Sequence, residues 1–290
     1  ERRFRASQLA GRVTIPAIRE KFEALWKAKL SDKEGMTATE MIPAAEKGTL
    51  KALYIMGENP VVSDPNSTHT AKALKALDLL VVQDIFLTET AELAHVVLPG
   101  TSFAEKVGTF TNTERRVQRV RRAVNSPGQA MKDSLIIIEL SKRMGYDMNY
   151  PHTVEIFREM GQAWPALAGM SYARLDDGGL QWPCPTPDHP GTQFLFKGGS
   201  PRGKGRFTAV TYKPSHEETD QEYPFLMTTG RTLFQYHTGS MTRRVKPINA
   251  VSPEAFIEIH PDDARALSLE AGSNVKVTSR RGSITVKALI

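Results

Sequence analysis

Two short apolar runs, residues 50–56 and 79–82, separated by one helix-length segment, constrain this chain more than any other feature. Leu79-Leu80-Val81-Val82 is bounded by polar residues and is too short for a buried helix, so it predicts an interior parallel strand. Residues 50–56 read the same way and are broken sharply by Gly57-Glu58-Asn59-Pro60. Between them, Ser67 or Thr68 is placed to cap a helix with Ala71, Leu74 and Leu77 on one face. A strand–helix–strand crossover follows. A short helix over 88–94 and a third strand over 95–98, ended by Pro99-Gly100, extend it into a parallel sheet with covering helices.

In open α/β sheets ligands bind at the carboxyl ends of the strands. Gln83 and Asp84 close the 79–82 strand, where a carboxylate accepts hydrogen bonds from a base or ribose edge, so a nucleotide is the expected ligand. Gly57 follows the first strand and lets backbone approach a ligand closely, while Asn59 offers both a donor and an acceptor; a plain turn explains the same residues. Lys106, before Gly108, either reaches an anionic group or is a surface lysine before a turn. Asp133 precedes the apolar pattern Leu135, Ile136, Ile137, Leu140, Met144 and is read first as a helix N-cap.

Elsewhere, Ile15, Ile18, Phe22, Leu25 and Trp26 recur at helical spacing behind Pro16, and a short helix is expected over 38–47. Residues 150–202 turn aromatic, proline-rich and glycine-rich, with a helix near 153–160, and read as a connector between two domains. Beyond it, strands are expected at 206–212, 223–229, 256–259, 274–279 and 283–289, with one small helix from His260, a pattern that predicts a β-barrel. Thr229, Gly230 and Arg231 end the second of these, and His237 and Thr238 follow in a loop. An arginine beside glycine and hydroxyl residues grips pyrophosphate bidentately, whereas His237 either donates to a ligand nitrogen or oxygen or, as an isolated histidine more often is, is satisfied in a turn.

The net charge of +6 gathers in arginines at 115, 116, 119, 121 and 122, at 243 and 244, and at 280 and 281. Such clusters suit phosphate or form a solvated face, and no RNA- or DNA-binding motif accompanies them, so nucleic acid is not the expected partner. Cys184 is the only cysteine, which rules out a disulfide within these residues, fits a reducing, cytoplasmic setting and is too few for a cubane cluster. Flanked by prolines, it reads as a structural thiol. No membrane span is visible. A first residue other than Met and a last strand without a turn signal read as a fragment cut at both ends.

Four stretches, MGENPVVSDP (56–65), VVQDIFLTETAELA (81–94), FAEKVGTFTNTERRVQ (103–118) and TTGRTLFQYHTGSMTRR (228–244), resemble the molybdopterin oxidoreductases, in particular formate dehydrogenase alpha subunits. His95 and Gly100 depart from the family's usual residues. The resemblance implies a Rossmann-like parallel-sheet domain (part of it in 1–149), a connector (150–202) and a double-psi β-barrel domain (203–290), incomplete at its end. It implies bis(molybdopterin guanine dinucleotide) carrying molybdenum or tungsten, held by Gly57, Asn59, Gln83, Asp84, Lys106, Asp133, Thr229, Gly230, Arg231, His237 and Thr238, with the sheet edge and the barrel loop converging on it. Formate is the implied substrate, and iron-sulfur or diaphorase-type electron-transfer subunits are the implied partners. The metal ligand, the catalytic residues and 4Fe-4S clusters belong to motifs absent from this sequence and are expected upstream. A nitrate or other oxoanion reductase, or a non-catalytic electron-transfer protein like the large complex I subunit, shares the same fold.

Overall fold

The computed structural model describes residues 13–200, 203–215 and 217–290. The chain divides into two compact units, residues 1–58 with 72–205 and residues 59–71 with 206–290.

The first unit is built on a parallel sheet of β1 (Ala52–Met56), β2 (Leu79–Asp84) and β3 (Val96–Pro99), in that order. Its register pairs Met56 with Gln83 and Asp84 with Pro99, so the three strands end together. Leu80 and Val82 are fully buried, as a central parallel strand requires, and Ala73, Leu74 and Leu77 join them in the core. Two helices precede the sheet, α1 (Pro16–Trp26) and α2 (Ala38–Glu46). Thr37 and Glu40 form a capping box at the start of α2, satisfying two otherwise orphaned amides. A second sheet, β4 (Gly108–Thr111), β5 (Arg116–Val120) and β6 (Leu180–Gln181), is antiparallel.

Residues 150–202 are more than a bridge. They supply α6 (Thr153–Ala163), α7 (Tyr172–Leu175) and β6, and the cluster Phe157, Leu167, Met170, Leu175 and Cys184 packs with Val117 of β5. The remaining α-helices before α6 among the described residues are α3 (Pro60–Ser63), α4 (Ser67–Lys75) and α5 (Asp133–Arg143). The cap of α4 lies one residue earlier than predicted: Asn66, in the left-handed region at φ 58°, accepts from the His69 amide at 3.3 Å. Helix α1 docks through Trp26, whose indole donates to Glu159 of α6 at 2.9 Å, and through Lys21, which donates to the Ala163 carbonyl at 2.6 Å. Cys184 is sealed in the core, donating to the His189 carbonyl at 3.3 Å, so it plays the structural part expected of it.

In the second unit, β7 (Phe256–Glu258), β8 (Asn274–Ser279) and β9 (Gly282–Leu289) form a three-stranded sheet in the order β7-β9-β8. Helices α8 (Lys246–Val251) and α9 (Pro261–Ala266) flank β7 in the chain. The strands expected at 206–212 and 223–229 do not join it; they run without ladder partners, and no closed barrel forms among the described residues. A period-two pattern fixes which way side chains point but not which neighbour supplies the hydrogen bonds. Among the described residues no helix is long and apolar enough to cross a membrane.

Candidate functional site

The three parallel strands of the first unit deliver their C-terminal residues to one edge. Gly57, at φ +64°, turns the chain directly after β1, and its amide donates to the Gln83 carbonyl at 2.9 Å. After β3, the Gly100 amide donates to the Asp84 carbonyl at 2.9 Å, and Gly100 forms a parallel bridge with Met131. That bridge brings the start of α5 to the same edge.

There Gln83, Lys106 and Asp133 meet. Gln83 donates from Nε2 to Asp133 Oδ1 at 2.7 Å, and Lys106 bonds Asp133 Oδ2 in an ion pair. Lys106 also donates to the Thr101 carbonyl at 3.0 Å. Asp133 is therefore not the N-cap that its position before an apolar run predicts. Lys132 occupies that place, Asp133 is the first helical residue, and its carboxylate turns to the sheet edge, where the helix N-terminus also favours negative charge.

Tyr54 completes the cluster, and sequence reasoning missed it. It sits mid-strand in β1, where a tyrosine is simply a good strand residue, and its hydroxyl donates to Gln83 Oε1. Burial first, and then the Asp133 charge, push the phenol above its usual range, keeping it a proton donor. Gln83 is only 1% exposed, so its amide is committed to these partners.

Asp84 is different. It is half-buried, its Oδ1 accepts from the Phe86 amide at 3.1 Å, and no cation pairs with it among the described residues. Thr101, 1% exposed, has a hydroxyl oxygen without a hydrogen-bond partner among the described residues. Asn59 is buried at the N-terminus of α3, where its carbonyl accepts from Val62 and Ser63 at 3.0 and 2.9 Å; it belongs to the second unit, apart from Gly57 in the grouping of the chain.

In the second unit, residues 231–237 curl around a hollow of ≈ 360 Å³. Gln235 anchors the curl, donating to the Ser252 carbonyl at 2.9 Å and accepting from the Thr242 hydroxyl at 2.6 Å. His237 takes the left-handed region at φ 53°, its ring edge-on to Tyr236 at 4.5 Å. Thr229, Gly230, Arg231 and Thr238 are exposed, and Arg231 makes no hydrogen bond or ion pair with the described residues. Thr238 lies 3.5 Å from the Ser240 hydroxyl.

Most of the other arginines have internal work. Arg115 donates to the carbonyls of Thr192 and Gln193 at 3.0 and 3.1 Å, Arg116 pairs with Glu114 at 2.7 Å, and Arg119 and Arg121 share Asp176 at 3.5 and 2.6 Å. Arg280 pairs with Glu217 at 2.7 Å and stacks on Tyr223 at 4.6 Å.

Residues 5–143 match the molybdopterin oxidoreductase family, and residues 225–290 match the Molydopterin dinucleotide binding domain. The chain is 52% identical, over 93% of its length and 40% of the relative's, to the F420-dependent formate dehydrogenase subunit alpha of Methanocaldococcus jannaschii. It is 38% identical, over 88% of its length and 38% of the relative's, to the assimilatory nitrate reductase catalytic subunit of Bacillus subtilis. The chain thus spans about two fifths of the length of these relatives. Among solved structures, acetylene hydratase from Pelobacter acetylenicus shares the fold, with a TM-score of 0.56 at 19% identity over 96% of this chain and 41% of that one. The parallel sheet with its polar C-terminal edge and the two sequence matches lead to one conclusion: the chain belongs to the molybdopterin oxidoreductase family.

Proposed function

We infer that these residues are the C-terminal portion of a formate dehydrogenase alpha subunit and hold its bis(molybdopterin guanine dinucleotide). The observation that carries the reading is that two charged residues named from the sequence have no ion-pair partner among the described residues. Asp84 offers an uncompensated carboxylate at a strand end, and Arg231 an uncompensated guanidinium beside a hollow. A guanine edge presents N–H donors to a carboxylate, and a pyrophosphate presents paired oxygens to a guanidinium, so each group by itself suits a part of a guanine dinucleotide.

In this reading Asp84 holds the base, with Gly57 and Asn59 lining the turn after β1. Lys106 and Asp133 present a charge-balanced pair, so Lys106 adds little net attraction for phosphate. Thr229, Gly230, Arg231, His237 and Thr238 take the phosphate or pterin portion. The molybdenum or tungsten pterin, when bound, supplies the two-electron chemistry that oxidises formate to carbon dioxide. The residues of this chain position it and have no catalytic part of their own. The domains that go with this reading are an α/β part over 1–149, a connecting region over 150–202 and a dinucleotide-binding, double-psi-type domain over 203–290. Iron-sulfur clusters belong to the rest of the subunit, and electron-transfer subunits are its partners.

A second reading, an oxoanion reductase, is favoured by the 38% identity to a nitrate reductase. The full-length protein tests both. Formate-dependent reduction of a viologen dye by protein carrying stoichiometric molybdenum or tungsten supports the first. Metal-loaded protein that leaves formate untouched and reduces nitrate overturns it.

A further inference from the structure

Tyr54 is the one member of the sheet-edge cluster that no motif singles out, and the hydrogen bonds give it a defined task. Gln83 is a side chain whose two ends are chemically opposite, and nothing in its own shape decides which end faces Asp133. If the carbonyl end faced Oδ1, two acceptors would oppose each other at 2.7 Å. The carboxylate, which can only accept, draws Nε2 to itself, and the Tyr54 hydroxyl fastens the amide in that orientation by donating to Oε1 on its other side. The phenol serves as donor because its partner, the amide oxygen Oε1, can only accept. Asp133 is thereby held on Oδ1 by Gln83 and on Oδ2 by Lys106, and Lys106 is held in turn by the Thr101 carbonyl. The relay runs from mid-strand β1 across β2 to the first residue of α5 and ends beside the partnerless Thr101 hydroxyl.

We propose that Tyr54 is a positioning residue for the cofactor: through the buried amide of Gln83 it fixes Asp133 and Lys106, while direct contact with the base at this edge falls to Asp84. This rests on the cofactor-binding reading above. Gln83 acts as an internal link, since at 1% exposure it has no surface to offer a ligand.

The test is a double-mutant cycle in the full-length, cofactor-loaded protein, measuring the rate of guanine dinucleotide release and the thermal midpoint. Tyr54→Phe keeps the ring and removes the hydroxyl, and Gln83→Met keeps the volume and removes the amide. Tyr54→Phe speeds release about fivefold, the effect of one neutral hydrogen bond, Gln83→Met speeds it further because it also breaks the bond to the Asp133 carboxylate, and the double variant releases no faster than Gln83→Met alone. Asp84→Asn adds its effect fully to that of Tyr54→Phe. Two results overturn the proposal: effects of Tyr54→Phe and Gln83→Met that multiply, or a Tyr54→Phe variant whose thermal midpoint falls while its release rate stays that of the wild type. A wild-type protein that carries no guanine dinucleotide sinks the cofactor reading instead, before any variant is compared.

Discussion

Gly100 and Asp133 are fitted to each other: a Cβ at position 100 would stand 2.8 Å from Oδ1 of Asp133. A flexible carboxylate could ordinarily swing away. This one is held by Gln83 on one oxygen and Lys106 on the other, so a methyl group meets a fixed neighbour. Gly100→Ala is expected to cost about 1–3 kcal/mol, the usual range for overpacking, seen as a lower urea midpoint together with faster cofactor release. A variant with wild-type stability and release would show that Asp133 is free to move.

The core of the first unit has a stricter version of the same constraint. At Gly169 a Cβ would fall 2.0 Å from the Thr186 carbonyl oxygen and 2.7 Å from that of Cys184, both backbone atoms. Gly169→Ala is therefore expected to destabilise by about 3 kcal/mol or more, because the 184–186 backbone must leave the cluster around Cys184. Chemical denaturation measures it, and the newly accessible Cys184 thiol is expected to react with a thiol reagent that leaves the native protein untouched.

How far the sequence foretells this architecture depends on whether a signal is local. The strand ending in Gln83 and Asp84, the turn at Gly57 and the helix beginning at Asp133 follow from short apolar runs and their punctuation. The task of Asp133 does not. Its carboxylate finds Gln83 fifty positions away, a choice no local pattern encodes, and a separation of 29 positions from Gln83 hides Tyr54 in the same way. Beyond α6, residues 164–200 show little periodicity because apolar side chains such as Leu167, Met170 and Cys184 are placed by packing with Val117 of β5 rather than by a long regular element. The extended segments at 206–212 and 223–229 keep strand-like patterning without pairing within the described residues.

The junction of α1 and α6 is predicted to be sensitive to alkali. Tyr150 donates to Glu159 at 2.5 Å, and burial first, then that bond, raise its phenol from 10.0 to about 12. The folded state keeps the proton longer than the unfolded chain does. Its contribution is therefore fully present below the unfolded value of 10.0 and is lost as pH climbs toward about 12. The stability difference between wild type and Tyr150→Phe, from urea midpoints, is expected to be constant up to the lower value and to shrink above it. Parallel curves throughout would refute the assignment.

Cofactor retention by the full-length protein tests the central claim most directly. Guanine and molybdenum or tungsten are quantified in wild type, Asp84→Ala and Arg231→Ala after equal purification. Loss of one charge-assisted contact, about 2 kcal/mol or roughly thirtyfold in affinity, is expected to leave each variant largely depleted of dinucleotide while it stays folded. Variants that retain the full wild-type complement of guanine and metal would contradict the account.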